Sequence, residues 1–149
     1  IRMSVFNSRE ELISAVAEWT ANATNASSVH GHISSWDTSN VTDMHAVFSG
    51  ALWLDGATVA NQQFNDDINA WDVGQVTNMR DMFARAFSFD QELNDWNVSQ
   101  VTDMTNMFWV HSAPPSAGRL SPLRAVHVPI APRIGGLPRR HDSRAAGSV

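Results

Sequence analysis

Val41 to Phe48 reads VTDMHAVF, Val76 to Phe83 reads VTNMRDMF, and Val101 to Phe108 reads VTDMTNMF. A phrase written three times commits the chain to one local structure used three times. A unit this short has too little apolar surface to hold itself together, so its copies must be covered by one another. That requirement excludes most layouts open to a chain of 149 residues.

Aligned on tryptophan, the units read VHGHISSWDTSNVTDMHAVFSGA from Val29, FNDDINAWDVGQVTNMRDMFARA from Phe64, and FDQELNDWNVSQVTDMTNMFWVH from Phe89. Trp71 and Trp96 are 25 residues apart and Trp36 and Trp71 are 35 apart. The excess falls in LWLDGATVANQQ, an insertion at about 52–63 with no counterpart in the later units. A period near 25 is that of leucine-rich and related solenoids, in which each repeat adds one coil.

Within a unit the apolar rhythm changes. Ile68, Trp71 and Val73, matched by Leu93, Trp96 and Val98, end in every-other-residue alternation, which predicts a short strand. Val76, Met79, Met82, Phe83 and Ala86 follow a three-and-four spacing, which predicts a short helix. Thr42, Thr77 and Thr102 stand at the N-cap place of that helix, each followed by Asp or Asn. Ser39-Asn40, Gly74-Gln75 and Ser99-Gln100 supply the turn between the two elements. The fold class expected is therefore α/β: a short leucine-rich-repeat-like solenoid of about three strand-turn-helix coils. Its predicted core is Trp36, Trp71 and Trp96 with Met44, Met79 and Met104 and with Phe48, Phe83 and Phe108.

The ends differ from the middle. Ser8 followed by Glu11 is a capping-box pattern, and Leu12, Ile13, Val16 and Trp19 recur at helical spacing. This predicts an amphipathic helix from Arg9 to about Ala21 inside an N-terminal cap, residues 1–28, lying across the first coil. The repeat region is then 29–111. Up to His111 the chain holds four Arg against fourteen Asp plus Glu, a net of minus ten, whereas 112–149 holds six Arg against one Asp, a net of plus five. All six prolines lie in 112–149. That segment carries neither period and is expected to be a disordered Pro/Arg-rich tail. It reads as a linker, as a basic arm, or as translated sequence outside the original reading frame or exon structure, and the break just after Phe108, inside the third unit, favours the last.

Chemistry-bearing patterns are few. The chain has no Cys, which removes disulfides, zinc-thiolate sites and a cysteine nucleophile. No apolar run approaches the ~20 residues of a membrane span, and no charged n-region with an apolar h-region is visible at Ile1, so the expectation is that a leader has been removed or that the chain is a fragment. His30, His32 and His45 stand close in sequence and could chelate a metal, but the other units lack them, which favours surface histidines. Asp37, Asp72 and Asn97 follow each Trp, and Asp43, Asn78 and Asp103 follow each Thr. These could stack into calcium-holding ladders or serve turn hydrogen bonds, and the second use is expected. Asp66 and Asp67 are adjacent and on a strand would point to opposite faces, which does not suit paired-carboxylate hydrolysis. Asn22, Asn25, Asn40 and Asn97 begin N-glycosylation sequons; Asn40 and Asn97 belong to the repeat's turns, leaving Asn22 and Asn25 free of that duty. No phosphate-cradling loop or nucleophile elbow occurs, and the acidic repeat body would repel nucleic acid.

The pattern Phe-Asn-x-x-Ile-x-x-Trp-Asp-Val-x-x-Val-Thr-x-Met-x-x-Met-Phe resembles the repeat of the BspA-like leucine-rich-repeat surface proteins of bacteria, including mycoplasma-type surface lipoproteins, and of microbial eukaryotes. The resemblance covers Val29 to about Val110. It implies an extracellular or cell-surface protein used in adhesion or recognition, with no catalytic residue and no cofactor. The expected function is a non-catalytic, monomeric recognition module for a protein or glycan partner. The alternative is a structural spacer or truncated fragment of a longer array. The variable positions beside each Trp, namely Ser35, Ala70 and Asp95, are the expected partner face.

Overall fold

The computed structural model describes residues 3–110. The Pro/Arg-rich tail expected from Ser112 lies outside them.

Helix α1 spans Arg9–Ala21, as its capping box and apolar spacing predict. The Ser8 side chain accepts the Glu11 N–H, while the Glu11 carboxylate takes the Asn7 N–H at 2.8 Å. Leu12, Ala15, Val16 and Trp19 form its buried face. A second helix, α2 (Ala23–His30), was not foreseen. The Asn22 side-chain oxygen caps it by accepting the Asn25 N–H, so Asn22 is not idle as its sequon suggested. Gly31, at φ 78°, ends α2 in a conformation that side-chain-bearing residues avoid.

The repeats are not strand-turn-helix coils. Among the described residues they contain no strand and, past the end of α2 at His30, no α-helix; short 3-10 turns occupy Ile33–Ser35 and Ala60–Gln63. The ladder is reduced to isolated parallel bridges, Asp43 with Asn78 and Asn78 with Asp103. The leucine-rich-repeat-like solenoid expected from the period is therefore replaced by a stack of hydrogen-bonded turns.

Two backbone features replace the helix. Ala46, Asp81 and Asn106 hold the same place in the three units, and their φ values are 58°, 55° and 56°. One left-handed residue stops a right-handed helix. The polar groups consequently point sideways. In the first unit the N–H groups of Met44, Ala46, Phe48 and Gly50 donate to the carbonyls of Asn78, Arg80, Met82 and Ala84 at 2.8 to 3.0 Å. In the second unit Met79, Asp81, Phe83 and Arg85 donate to Asp103, Thr105, Met107 and Trp109 at 2.8 to 2.9 Å. The residues between close local turns, such as Val47 to Met44 and Met82 to Met79. From the Met onward the first two units thus show a row of N–H groups to the next unit, and the second and third a row of carbonyls to the previous one.

The conserved phrase is explained by this arrangement. Thr77 donates both its N–H and its hydroxyl to the Thr42 carbonyl, at 2.8 and 3.2 Å, and Thr102 does the same to Thr77, at 2.8 and 3.0 Å. The threonines join units rather than cap helices. Trp36, Trp71 and Trp96 are buried. The Trp71 indole N–H donates to the Ile33 carbonyl at 2.8 Å and that of Trp96 to Ile68 at 3.1 Å, so each ring is tied to the preceding unit. The Trp36 and Trp71 rings stack at 6.1 Å. Phe48, Phe83 and Phe108 form a column with 5.3 Å between successive rings. Met44 and Met79 are buried, whereas Met104 and Phe108, in the last described unit, are half-covered.

The carbonyl edge of the first unit is capped. Arg9 of α1 donates from Nε to the His45 carbonyl at 2.7 Å. The insertion supplies the Thr58 N–H and the Asn61 side chain to the Ser49 carbonyl, and Gln62 donates to Gly50. The extra residues of the first gap therefore close one end of the stack. Ser4 to Phe6 add a short parallel pairing with Asp37, and Phe6 packs on Trp36 at 5.0 Å.

Candidate partner face

Burying each Trp decides what its neighbour does. Ser35, Ala70 and Asp95 immediately precede Trp36, Trp71 and Trp96, so they occupy equivalent places in consecutive stacked units. Ala70 and Asp95 are exposed; Ser35 is half-buried and its hydroxyl donates to the His32 carbonyl at 2.7 Å. Asp95 is held across the unit boundary. Its carboxylate accepts the Asn69 side-chain amide at 2.7 Å, and its own N–H donates to Asn69 at 3.1 Å. Asp90 and Gln91 bond Asn65 in the same cross-unit manner. This face is polar, ordered and variable from unit to unit.

The recurrent Asp and Asn residues are occupied in turns. The Oδ1 atoms of Asp37, Asp72 and Asn97 accept the N–H two residues on, from Ser39, Gly74 and Ser99, and those of Asp43, Asn78 and Asp103 do the same for His45, Arg80 and Thr105. Such Asx turns set the chain direction at the two bends of each unit. The Ser39 hydroxyl, and then its backbone N–H, lower the Asp37 pKa below its ordinary value. The Thr105 side chain and backbone lower that of Asp103, helped by the charges of Arg80 and His45. Among the described residues no three His, Asp or Glu side chains gather as a metal site.

The histidines do not converge. His30 lies between Glu18, at 3.1 Å, and Ser4, at 3.2 Å; His32 bonds Ser34; His45 reaches the Asp81 carboxylate at 3.7 Å. Asp66 and Asp67 are likewise separated in use. Asp66 accepts the Trp19 indole N–H at 2.9 Å, and Asp67 accepts the Asn69 N–H at 2.9 Å.

A second feature escaped the sequence reading. Trp53, in the insertion, is 62% exposed. Trp109 meets it edge-on at 5.8 Å, and the Arg85 guanidinium stands 5.3 Å from the Trp53 ring and 5.6 Å from that of Phe87. These are cation–π distances. The available clue was that Trp53 and Trp109 have no tryptophan at the matching place in another unit: the residues matching Trp109 are Ser49 and Ala84. A tryptophan off the repeat register has no place in the column of buried rings.

Residues 4–115 match the family described as "Mycoplasma protein of unknown function, DUF285". The chain belongs to this family. The match takes in α1, α2 and all three units, so the helical cap and the turn stack fall within one DUF285 region. No curated protein and no solved structure matches the chain. Within the described residues no helix is long and apolar enough to cross a membrane.

Proposed function

We propose that this DUF285 chain is a non-catalytic recognition or adhesion module, working outside the cell or on its surface and binding a protein or glycan. The observation that carries the reading is the exposed Trp53 with Arg85 against its ring. The repeat's own tryptophans, Trp36, Trp71 and Trp96, are buried, so Trp53 and Trp109 set on the surface beside a cation are a contact feature. An indole face suits the apolar face of a sugar ring or a partner's aromatic side chain, and a guanidinium supplies directed hydrogen bonds. The likeness of the Trp-Asp-Val and Val-Thr-x-Met phrases to the BspA-like surface proteins supports the surface setting. The row Ser35, Ala70 and Asp95 is the second candidate contact face.

The half-covered Met104 and Phe108 favour one competing reading, a spacer within a longer array. Glycan arrays and purified extracellular-matrix proteins, probed with the full chain, with Trp53→Ala, and with the triple variant Ser35→Arg, Ala70→Arg, Asp95→Arg, separate the two. Saturable binding lost in at least one variant, with melting temperature unchanged, supports recognition. Binding absent from all three proteins supports the spacer.

A further inference from the structure

The stack has a direction, and its two ends differ chemically. From Met44 to Gly50 and from Met79 to Arg85 the alternate cross-unit N–H groups point toward the third unit and the matching carbonyls point back, whereas the N–H groups of Thr77, Thr102 and Asp103 point toward the first. At the first unit the outward carbonyls of His45 and Ser49 are met by Arg9, Thr58 and Asn61. At the third unit the N–H groups of Met104, Asn106 and Phe108, which match the donors Met79, Asp81 and Phe83, find no acceptor among the described residues. The apolar side chains beside them are incompletely covered too. Val101, Met104 and Phe108 are only partly buried, whereas Val76, Met79 and Phe83 are buried.

A row of N–H donors at fixed spacing above a partly covered apolar column is a template for chain addition. We propose that this edge of the third unit docks one further unit of the same repeat, carried by another polypeptide whose carbonyl edge is uncapped. Carbonyls are required because the edge offers donors in a row. The repeat itself is required because the side chains to be covered are a Met and a Phe at the spacing that the second unit already matches to the third. A second copy of this chain does not satisfy these needs. Its own carbonyl edge is already taken at His45 and Ser49 by Arg9 and the insertion, and two N–H edges placed face to face repel.

The test is amide hydrogen exchange on the full chain, alone and with an excess of a polypeptide of residues 64–110, which carries the second unit without its cap. In a second arm, residues 86–110 are duplicated in place after Val110. Met44 and Phe48 report that the stack is folded in both arms. The expected result is that exchange at Met104, Asn106 and Phe108 slows by about tenfold or more in each arm. Unchanged exchange at these amides in both arms, with Met44 and Phe48 still protected, would overturn the proposal. Slowing that grows with the concentration of the unmodified chain alone would also overturn it, by making the occupant a second copy.

Discussion

Trp71 concentrates the chemistry of the stack in one side chain. It is 2% exposed, donates to the Ile33 carbonyl, and touches the rings of Trp36 and Phe48. Trp71→Ala should cost on the order of 3 to 5 kcal/mol, read from urea melts. Trp71→Phe keeps most of the apolar area and removes one of two hydrogen bonds on the Ile33 carbonyl, which retains the Trp36 N–H, so only about 0.5 to 1.5 kcal/mol is expected. Asn106 probes the backbone instead. It is exposed and sits at φ 56°. In a helix, Asn106→Ala would stabilise, because alanine is the better helix former. In the left-handed conformation it should destabilise, by about 1 kcal/mol, with Asn106→Gly close to neutral. The sign alone decides between them in a thermal melt. Asp37 adds a pH test. Its folded pKa is depressed by Ser39, so its contribution is full above the unfolded carboxylate value and is lost as the pH falls through the depressed one. Ser39→Ala should bring the Asp37 titration, followed by NMR, back up toward the ordinary range.

At the scale of elements, legibility depended on whether the pattern had one physical solution. For α1 it did. Ser8, Glu11 and the spacing of Leu12, Val16 and Trp19 serve a capped amphipathic helix and nothing else. For the phrase Val-Thr-x-Met-x-x-Met-Phe it did not. Successive three-residue turns turn every third side chain inward, much as a helix turns every third and fourth. Nothing in Val76 to Ala86 declares that Asp81 takes a left-handed φ. Alternation in Ile68, Trp71 and Val73 similarly suits a strand, although these residues form no bridge and the bridges between units fall at Asp43, Asn78 and Asp103. What survived is what repetition alone implies, namely equivalent residues stacked on one another. The capping of the first unit was invisible because Arg9, Asn61 and Gln62 act on carbonyls distant in sequence. Arg9→Ala removes a charged donor whose side chain is 13% exposed. A loss of about 1 to 3 kcal/mol is expected from urea melts, with faster exchange near His45.

Over the whole molecule, one run of apolar side chains extends from Phe6 to Met107 without a break between cap and repeats. Cap and turn stack are therefore one cooperative structure, capped at the first unit and, among the described residues, with N–H groups unmet at the third. The contact residues were only partly legible. Ser35, Ala70 and Asp95 follow from the position of each Trp, whereas Trp53 and Arg85 meet only after the insertion has folded back. Backbone hydrogen bonds in the repeats run between units rather than along a helix. Scalar couplings across hydrogen bonds, measured by NMR on the labelled chain, test it directly. Couplings are expected from the Met44 N–H to the Asn78 carbonyl and from the Phe83 N–H to the Met107 carbonyl. A coupling from the Phe83 N–H to the Met79 carbonyl, four residues back, would contradict it.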